Sequence, residues 1–297
     1  MNQPASFGEE LRRWRNTRGR AQLDLANLSG YSQRHISFLE RGRSLPSRRT
    51  VVVLAEALDI PLKDRNKLLQ AAGFAPIFSS EPIDSDYLSC AVQAFEKVLD
   101  SHRPFPAIVV DRAWNLYAGN DNAFQLFQMF LDEPLVVTQD APLNVLRLCL
   151  SPKGVRPHIR NFPAFGHTML AQLRQDLDLD PANQSLQDLI AEFESDPELR
   201  NHISDTELPQ PAPISVMEFA RGESEMRLFT LVSQISNPRD TTLAELRIET
   251  FLPVDDATRH ALNAIDARIL AVKAENERNA KEKQPTSQVL WMRADTA

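Results

Sequence analysis

The spacing of apolar residues at the start of the chain most strongly constrains what it can fold into. Phe7, Leu11 and Trp14 recur at intervals of four and three residues, which places them on one face of a helix. A second helical segment over residues 21–29 is followed by Gly30, which adopts the left-handed backbone conformation at low cost. The pattern therefore predicts short helices separated by glycine turns.

A third helix is predicted directly after that turn. Ser32 is a favoured N-terminal cap, and Gly42 marks the end of the segment. Ile36 and Leu39 are spaced to point inward, while the residues between them are mostly polar. Two helices joined by a short glycine-containing turn, the second polar on its outer face, form a helix-turn-helix.

Two more helices complete this region, one over residues 49–60 and one from Pro61, a favoured first helical residue, to about Ala72. Residues 1–75 hold 13 Lys and Arg against 7 Asp and Glu, a net charge of +6, although the whole chain has a net charge of −7. The rest of the chain is therefore at −13. This asymmetry indicates that the first region binds a polyanion, although chance clustering of surface arginines is an alternative.

The segment QLDLANLSGYSQRHISFLERGRSLPS resembles the xenobiotic-response-element (XRE) or phage-repressor helix-turn-helix family, over roughly residues 7–73. The matching positions are Leu25-Ala26, Gly30, Ser32, Ile36, Leu39-Glu40 and Gly42. Ala21 departs from the family, which usually has Thr or Ser there as a helix cap. The missing cap is expected to cost about 1 kcal/mol without loss of the fold.

The resemblance implies that the third helix enters the major groove of double-stranded DNA. The positions it implies for base contacts are Gln33, Arg34 and Ser37, with Ser32 facing either a base or a phosphate. Arg pairs well with guanine and Gln with adenine. The residues expected to contact phosphates are Gln22, by family position, and Arg41, Arg43 and Arg48, just past the helix. For His35 and Phe38 a core or rim position is as plausible as a base contact.

Glu40 has the wrong charge for a DNA contact, so a structural role is expected. By family position it should pair with Arg15 on the first helix. The alternative is a solvated surface glutamate.

The rest of the chain is predicted to be an α+β domain. A helix with Leu88 and Phe95 on its apolar stripe precedes two short strands, residues 107–111 and 115–119. Further helices are predicted over 120–131, about 158–176 and 185–195, and three strands over 214–220, 226–236 and 244–253. An apolar run over 144–152 lies among them. Five antiparallel strands with helices inserted after the second form the layout of a PAS-like sensor domain.

Several residues of this region resemble the MmyB-like ligand-binding domain, over roughly residues 80–255. They are Pro106-Ala107, Trp114, Ala118 with Asn120, Phe127, Asn144 with Arg147, and Leu173-Arg174. Asn115 and Phe162 depart from the family, which tends to have Asp and Trp, and the last strands match poorly. The predicted domains are residues 1–75 (helix-turn-helix), 76–104 (linker and connecting helix), 105–255 (ligand-binding) and 256–297 (C-terminal helix and disordered tail).

The resemblance implies a pocket for a small apolar ligand such as a fatty acid. The Phe and Met residues expected to line it are Phe124, Phe127, Phe130, Phe162, Phe165, Met169, Met217, Phe219 and Phe229. Each of them alone is more often plain core. A ligand carboxylate would need a donor, for which Arg147, Arg160 and His167 are the candidates.

The chain has no run of about 18 apolar residues and does not open with a secretory signal, so no membrane association is expected. Its only cysteines, Cys90 and Cys149, fit the reducing cytoplasm and exclude a cysteine-rich zinc site. No catalytic motif is present and the six histidines are scattered, so neither an enzyme nor a metal or cofactor is expected.

One helix-turn-helix reads only a half-site, so a homodimer on a palindromic operator is expected. The contact between subunits should come from the ligand-binding domain (105–255) or from the C-terminal segment (256–297). Leu262, Ile265, Ile269 and Val272 follow helical spacing in the last segment, but the stripe is too short to predict a coiled coil. The alternative to a sensor is a DNA-binding repressor whose body is only a dimerisation scaffold.

Overall fold

The computed structural model describes residues 5–136, 143–200 and 214–280. The chain divides into two compact units. The first is Met1–Glu81 with Gln175–Asn183 and Asn237–Ala244, and the second is Pro82–Arg174 with Gln184–Ser236 and Glu245–Ala297. The first unit thus extends beyond the boundary predicted at residue 75. It also includes two short segments that were predicted to belong to the ligand-binding domain.

The N-terminal helices form where the apolar spacing predicts them. They are α1 (Phe7–Thr17), α2 (Gln22–Ser29), α3 (Gln33–Glu40), α4 (Arg48–Ala57) and α5 (Leu62–Ala71). Ser6 caps α1 in a reciprocal pair with Glu9, and Ser47 caps α4. Pro61 lies one position before α5 rather than at its first residue. The fully buried core includes Leu11, Leu25, Ile36 and Leu54.

Gly8 lies where α1 packs against the backbone at the end of α3. A Cβ atom at this position would lie 2.5 Å from the Leu39 carbonyl oxygen and 2.9 Å from the Glu40 carbonyl oxygen. Both atoms belong to the backbone and cannot move aside, so only glycine allows this packing.

The described part of the second region contains five strands, β1 (Ala107–Val110), β2 (Leu116–Gly119), β3 (Met217–Arg221), β4 (Ser224–Gln234) and β5 (Arg247–Pro253). They form one antiparallel sheet in the order β2-β1-β5-β4-β3. The helices are α6 (Ser89–Ser101), α7 (Asp121–Met129), α8 (Val145–Leu150), α9 (Phe162–Leu179), α10 (Gln184–Ser195), α11 (Thr241–Glu245) and α12 (Asp256–Ala280). The predicted fold class, a helical region followed by an α+β domain with a C-terminal helix, is confirmed.

Two predicted strands begin three residues later than expected. The strand predicted from residue 214 begins at Met217, and the one predicted from residue 244 begins at Arg247. In the second case the preceding residues form α11, whose turn is started by the Asp240 carboxylate accepting hydrogen bonds from the backbone N–H groups of Thr242 and Leu243.

Helix α7 lies on one face of the sheet and is packed there by aromatic rings. Phe127 meets Phe251 edge to face, with ring centres 6.1 Å apart. Phe130 stacks on Phe219 at 5.0 Å. These pairs bury apolar surface directly between the helix and the strands.

Helix α12 begins as predicted, with the Asp255 side chain accepting a hydrogen bond from the Thr258 backbone N–H. Leu262, Ile265 and Ile269 are buried, whereas Val272 is 56% exposed. The apolar stripe therefore ends at Ile269. The tail predicted to be disordered after Gln284 lies outside the described residues.

Candidate DNA-binding surface and ligand-binding domain

The turn between α2 and α3 has the geometry that its sequence indicates. Gly30 has φ +74° and donates its backbone N–H to the Ala26 carbonyl at 3.0 Å. The Ser32 hydroxyl caps α3 by accepting from the His35 N–H at 3.2 Å. Ala21 has no side-chain acceptor, but the Asp24 carboxylate accepts from the Ala21 backbone N–H at 2.8 Å. Half of a capping box thus remains at the start of α2.

The first turn of α3 presents polar side chains to solvent. Ser32, Gln33 and Arg34 are exposed, while Ile36 and Leu39 on the opposite face are buried in the core. A helix fixed on one side and polar on the other can place its N-terminal side chains against base edges.

The other side chains along α3 contact neighbouring groups of the protein. Ser37 is half-buried, and the Arg41 guanidinium donates to both its hydroxyl and its carbonyl. The Arg34 guanidinium lies 5.2 Å from the centre of the Phe38 ring, and the His35 ring lies 5.3 Å from that of Tyr31. His35 and Phe38 are half-buried at the rim. The Ser37 hydroxyl accepts from Arg41 and keeps its own O–H for a base contact.

The three arginines expected to contact phosphates, Arg41, Arg43 and Arg48, are all exposed. The Arg48 guanidinium lies 5.8 Å from the centre of the Phe74 ring. These cations follow α3 closely in sequence, where phosphate contacts would fix the register of the helix on DNA.

Glu40 is buried and holds three helices together. Its carboxylate accepts from Arg15 Nε at 2.6 Å, Arg15 Nη2 at 3.0 Å and Gln22 Nε2 at 2.8 Å. The hydrogen bond to Glu40 raises the pKa of Arg15. Arg15 also donates through Nη1 to the Arg20 carbonyl at 2.6 Å, so each of its three guanidinium nitrogens has an acceptor.

Gln22 has a contact within the helix-turn-helix that was not expected. Its side-chain amide donates to the Glu40 carboxylate. The amide carries a second N–H, so the expected phosphate contact stays a prediction. No sequence pattern indicates the bond to Glu40, because it depends on how α1, α2 and α3 pack.

The aromatic and Met residues predicted to line a pocket are mostly buried in the second unit. The buried ones are Phe127, Phe130, Phe162, Phe165, Met217 and Phe219, and the half-buried ones are Phe124, Met169 and Phe229. Phe229 pairs with Leu252, whereas the next residue, Thr230, pairs with Phe251. Successive strand residues point to opposite faces, so Phe229 lies on the face away from Phe251 and α7.

The three residues expected to hold a ligand carboxylate are not brought together. Arg147 is exposed and binds Glu192 through Nε at 3.0 Å and Nη2 at 2.7 Å. Arg160 is exposed and pairs with Glu225. The His167 ring lies 3.2 Å from the Leu199 carbonyl oxygen. A hollow of about 390 Å³ beside Arg147 and Ser151 is open and lined mostly by polar and charged residues, and it is not the apolar space expected between α7 and the sheet.

Within residues 5–136, 143–200 and 214–280, no helix combines the length and apolar character needed to cross a membrane. The same residues bring together no group of three His, Cys, Asp or Glu side chains suited to a metal ion.

Comparison with protein families accounts for both units. Residues 6–68 match a helix-turn-helix domain model, and residues 91–265 match the model of the MmyB-like transcription regulator ligand binding domain. No curated protein matches the chain. The second match covers more than half of the chain, and the helix-turn-helix lies ahead of it as in a DNA-binding regulator. The chain therefore belongs to the family of transcription regulators with an MmyB-like ligand-binding domain.

Proposed function

We propose that this chain is a cytoplasmic, sequence-specific regulator that binds a palindromic operator as a homodimer and responds to a small apolar ligand. The observation that carries the DNA-binding part is the exposed first turn of α3, with Ser32, Gln33 and Arg34 projecting from a helix whose other face is buried. The Glu40 network holds that helix against α1 and α2, so the reading side chains are positioned before DNA arrives.

Two arginines should have separable effects on operator binding. Arg34→Ala is expected to reduce discrimination at one base pair by about 1–3 kcal/mol, because a bidentate contact to guanine is lost. Arg43→Ala should weaken binding to all sequences and reduce the slope of log K against log salt by about one, because one phosphate contact is lost. Titrations of labelled operator and scrambled DNA at several salt concentrations measure both.

Arg174→Ala is the matched control, since Arg174 is an exposed arginine paired with Glu194 in the body. It should change neither quantity. Equal loss of affinity from Arg34→Ala for operator and scrambled DNA would remove Arg34 from the base-reading set.

Homodimerisation follows from the reading of two half-sites, whose centres lie about 34 Å apart on successive turns of the duplex. Light scattering of the full chain with and without operator tests it. A monomer at micromolar concentration under both conditions would contradict the proposal.

The ligand part is supported by the family's ligand-binding domain and by the layer of Phe rings between α7 and the sheet. A fatty-acid-like chain would gain about 0.8 kcal/mol for each buried methylene. The rings of Phe127 and Phe130 now occupy the space beside Phe251 and Phe219, so an alkyl chain must displace them. Ligand would bias DNA binding only as far as it favours one arrangement of the protein.

The filled ring layer also favours a second candidate function, a repressor whose body only supports dimerisation. Mass spectrometry of organic extracts, with thermal unfolding in the presence of lauric acid, separates the two. A co-purified lipid or a raised melting temperature supports a sensor. A lipid-free protein with an unchanged melting temperature supports the scaffold.

A further inference from the structure

The turn between β1 and β2 holds a buried tryptophan in a fixed orientation. Trp114 has φ +64°, a conformation that bulky residues rarely adopt, and its side chain is buried. The Asp111 carboxylate accepts from the backbone and side-chain N–H groups of Asn115, both at 2.9 Å. Asn144 donates to the Ala113 carbonyl at 2.6 Å and to Asn115 Oδ1 at 3.1 Å. These bonds fix the turn on both sides of the indole.

The indole N–H of Trp114 has no hydrogen-bond partner within the described part of the chain, although the Nε1 atom is buried. A buried donor without an acceptor costs free energy, and buried tryptophans usually find one. A rigid donor of this kind is suited to an acceptor that arrives with a ligand.

The charges around this indole argue against an anionic acceptor. The Arg247 guanidinium lies 4.7 Å from the centre of the Trp114 ring and pairs with Glu249 at 3.0 Å. Arg112 pairs with Glu245 at 2.8 Å. Burial raises the pKa of Asp111, and Arg247 interacts with that carboxyl.

Among the described residues around the indole, two guanidinium groups, of Arg112 and Arg247, face three carboxyl groups. The carboxyl groups belong to Asp111, Glu245 and Glu249. The Tyr117 hydroxyl belongs to the same cluster, where burial, with the charges of Asp111 and Glu245, raises its pKa to about 12. No surplus positive charge is therefore present to stabilise an ionised carboxylate that loses its hydration.

We propose that Trp114 Nε1 donates a hydrogen bond to an uncharged oxygen at the polar end of the ligand, such as an ester carbonyl. The apolar chain would extend from there along the sheet face that carries Phe251 and Phe219. The inference rests on the proposed ligand-binding function and refines it, because it replaces an ionised fatty acid by a neutral acyl compound. Trp114 would thus take the place of Arg147, Arg160 and His167 as the residue that holds the polar end of the ligand.

Binding of three probes to the full chain at pH 7.5 tests this. Methyl laurate supplies a neutral oxygen, laurate an ionised carboxylate, and dodecane no oxygen. We expect methyl laurate to bind at least as tightly as laurate and about tenfold more tightly than dodecane, which corresponds to about 1.4 kcal/mol. Trp114→Phe keeps a ring over Arg247 but removes the N–H, so it should weaken methyl laurate about tenfold and leave dodecane unchanged.

The outcomes separate the two levels of the proposal. If none of the three probes binds the wild-type chain, both the ligand-binding function and this inference are wrong. If the probes bind but laurate is preferred tenfold over its ester, or Trp114→Phe binds methyl laurate normally, only the inference is overturned. If the variant does not fold, the ratio of methyl laurate to dodecane affinity in the wild-type chain decides, and equal affinities refute the hydrogen bond.

Discussion

Replacing Glu40 by alanine should lower the free energy of unfolding of the N-terminal helices by about 3–5 kcal/mol. This is the usual loss when one partner of a buried ion pair is removed and the other charge stays behind. Arg15 would keep only the Arg20 carbonyl, and the Gln22 amide would lose its acceptor. Because the same carboxylate connects α1, α2 and α3, operator affinity should fall together with stability.

Urea unfolding followed by circular dichroism and by hydrogen exchange of the helices measures the effect. Glu10→Ala is the matched control, since Glu10 forms a partly exposed pair with Arg13 on α1 and should contribute less than about 1 kcal/mol. A Glu40→Ala variant as stable as the Glu10→Ala variant would show that the network does not brace the reading helix.

Replacing Phe130 by alanine should cost the ligand-binding domain about 3–5 kcal/mol, because a fully buried ring is removed from a packed site. Phe130 is 1% exposed and contacts Phe219 and His158, with ring centres 5.0 and 6.0 Å apart. The cavity left behind is apolar, so an alkyl probe should bind it and recover part of the lost stability.

Thermal unfolding with and without dodecane measures both effects. Phe124→Ala serves for comparison, because Phe124 is half-buried and its loss should cost less. If Phe130→Ala melts like the wild-type chain, the ring is not part of the core described here. If dodecane stabilises neither protein, the ring layer is not a site that an alkyl chain can enter.

The fold of the helix-turn-helix region could be predicted because the residues that determine it act locally. Gly30 and Ser32 each act within a few residues of their own position, through a left-handed turn and a hydrogen bond to the His35 N–H. The same holds for the order and rough positions of the five helices, which depend on apolar spacing, although α4 ends at Ala57 and not at the predicted residue 60. Gly8 was not identified, because its importance comes from backbone atoms of α3, far along the chain.

The ion pairs of Arg147 and Arg160 could not be predicted from the sequence, because their partners are distant in the chain. Glu192 follows Arg147 by 45 residues and Glu225 follows Arg160 by 65, and no spacing rule connects such pairs. The family resemblance includes Trp114 but does not indicate its conformation. The positive φ of Trp114, and its indole N–H without a partner among the described residues, follow from the packing of the turn against Asn144 and β5. Gln22 is a similar case, since its amide turns toward a carboxylate buried by three helices.

Selection of DNA from a random library by the full chain shows whether α3 reads a base sequence. Sequencing of the bound pool should reveal two inverted half-sites with centres about one helical turn apart, as expected for two copies of α3 in successive major grooves. Selection with the Arg34→Ala variant should lose preference at one position in each half-site and keep the spacing. A pool without an enriched sequence, or an Arg34→Ala pool identical to that of the wild-type chain, would contradict the assignment of α3 as the reading helix.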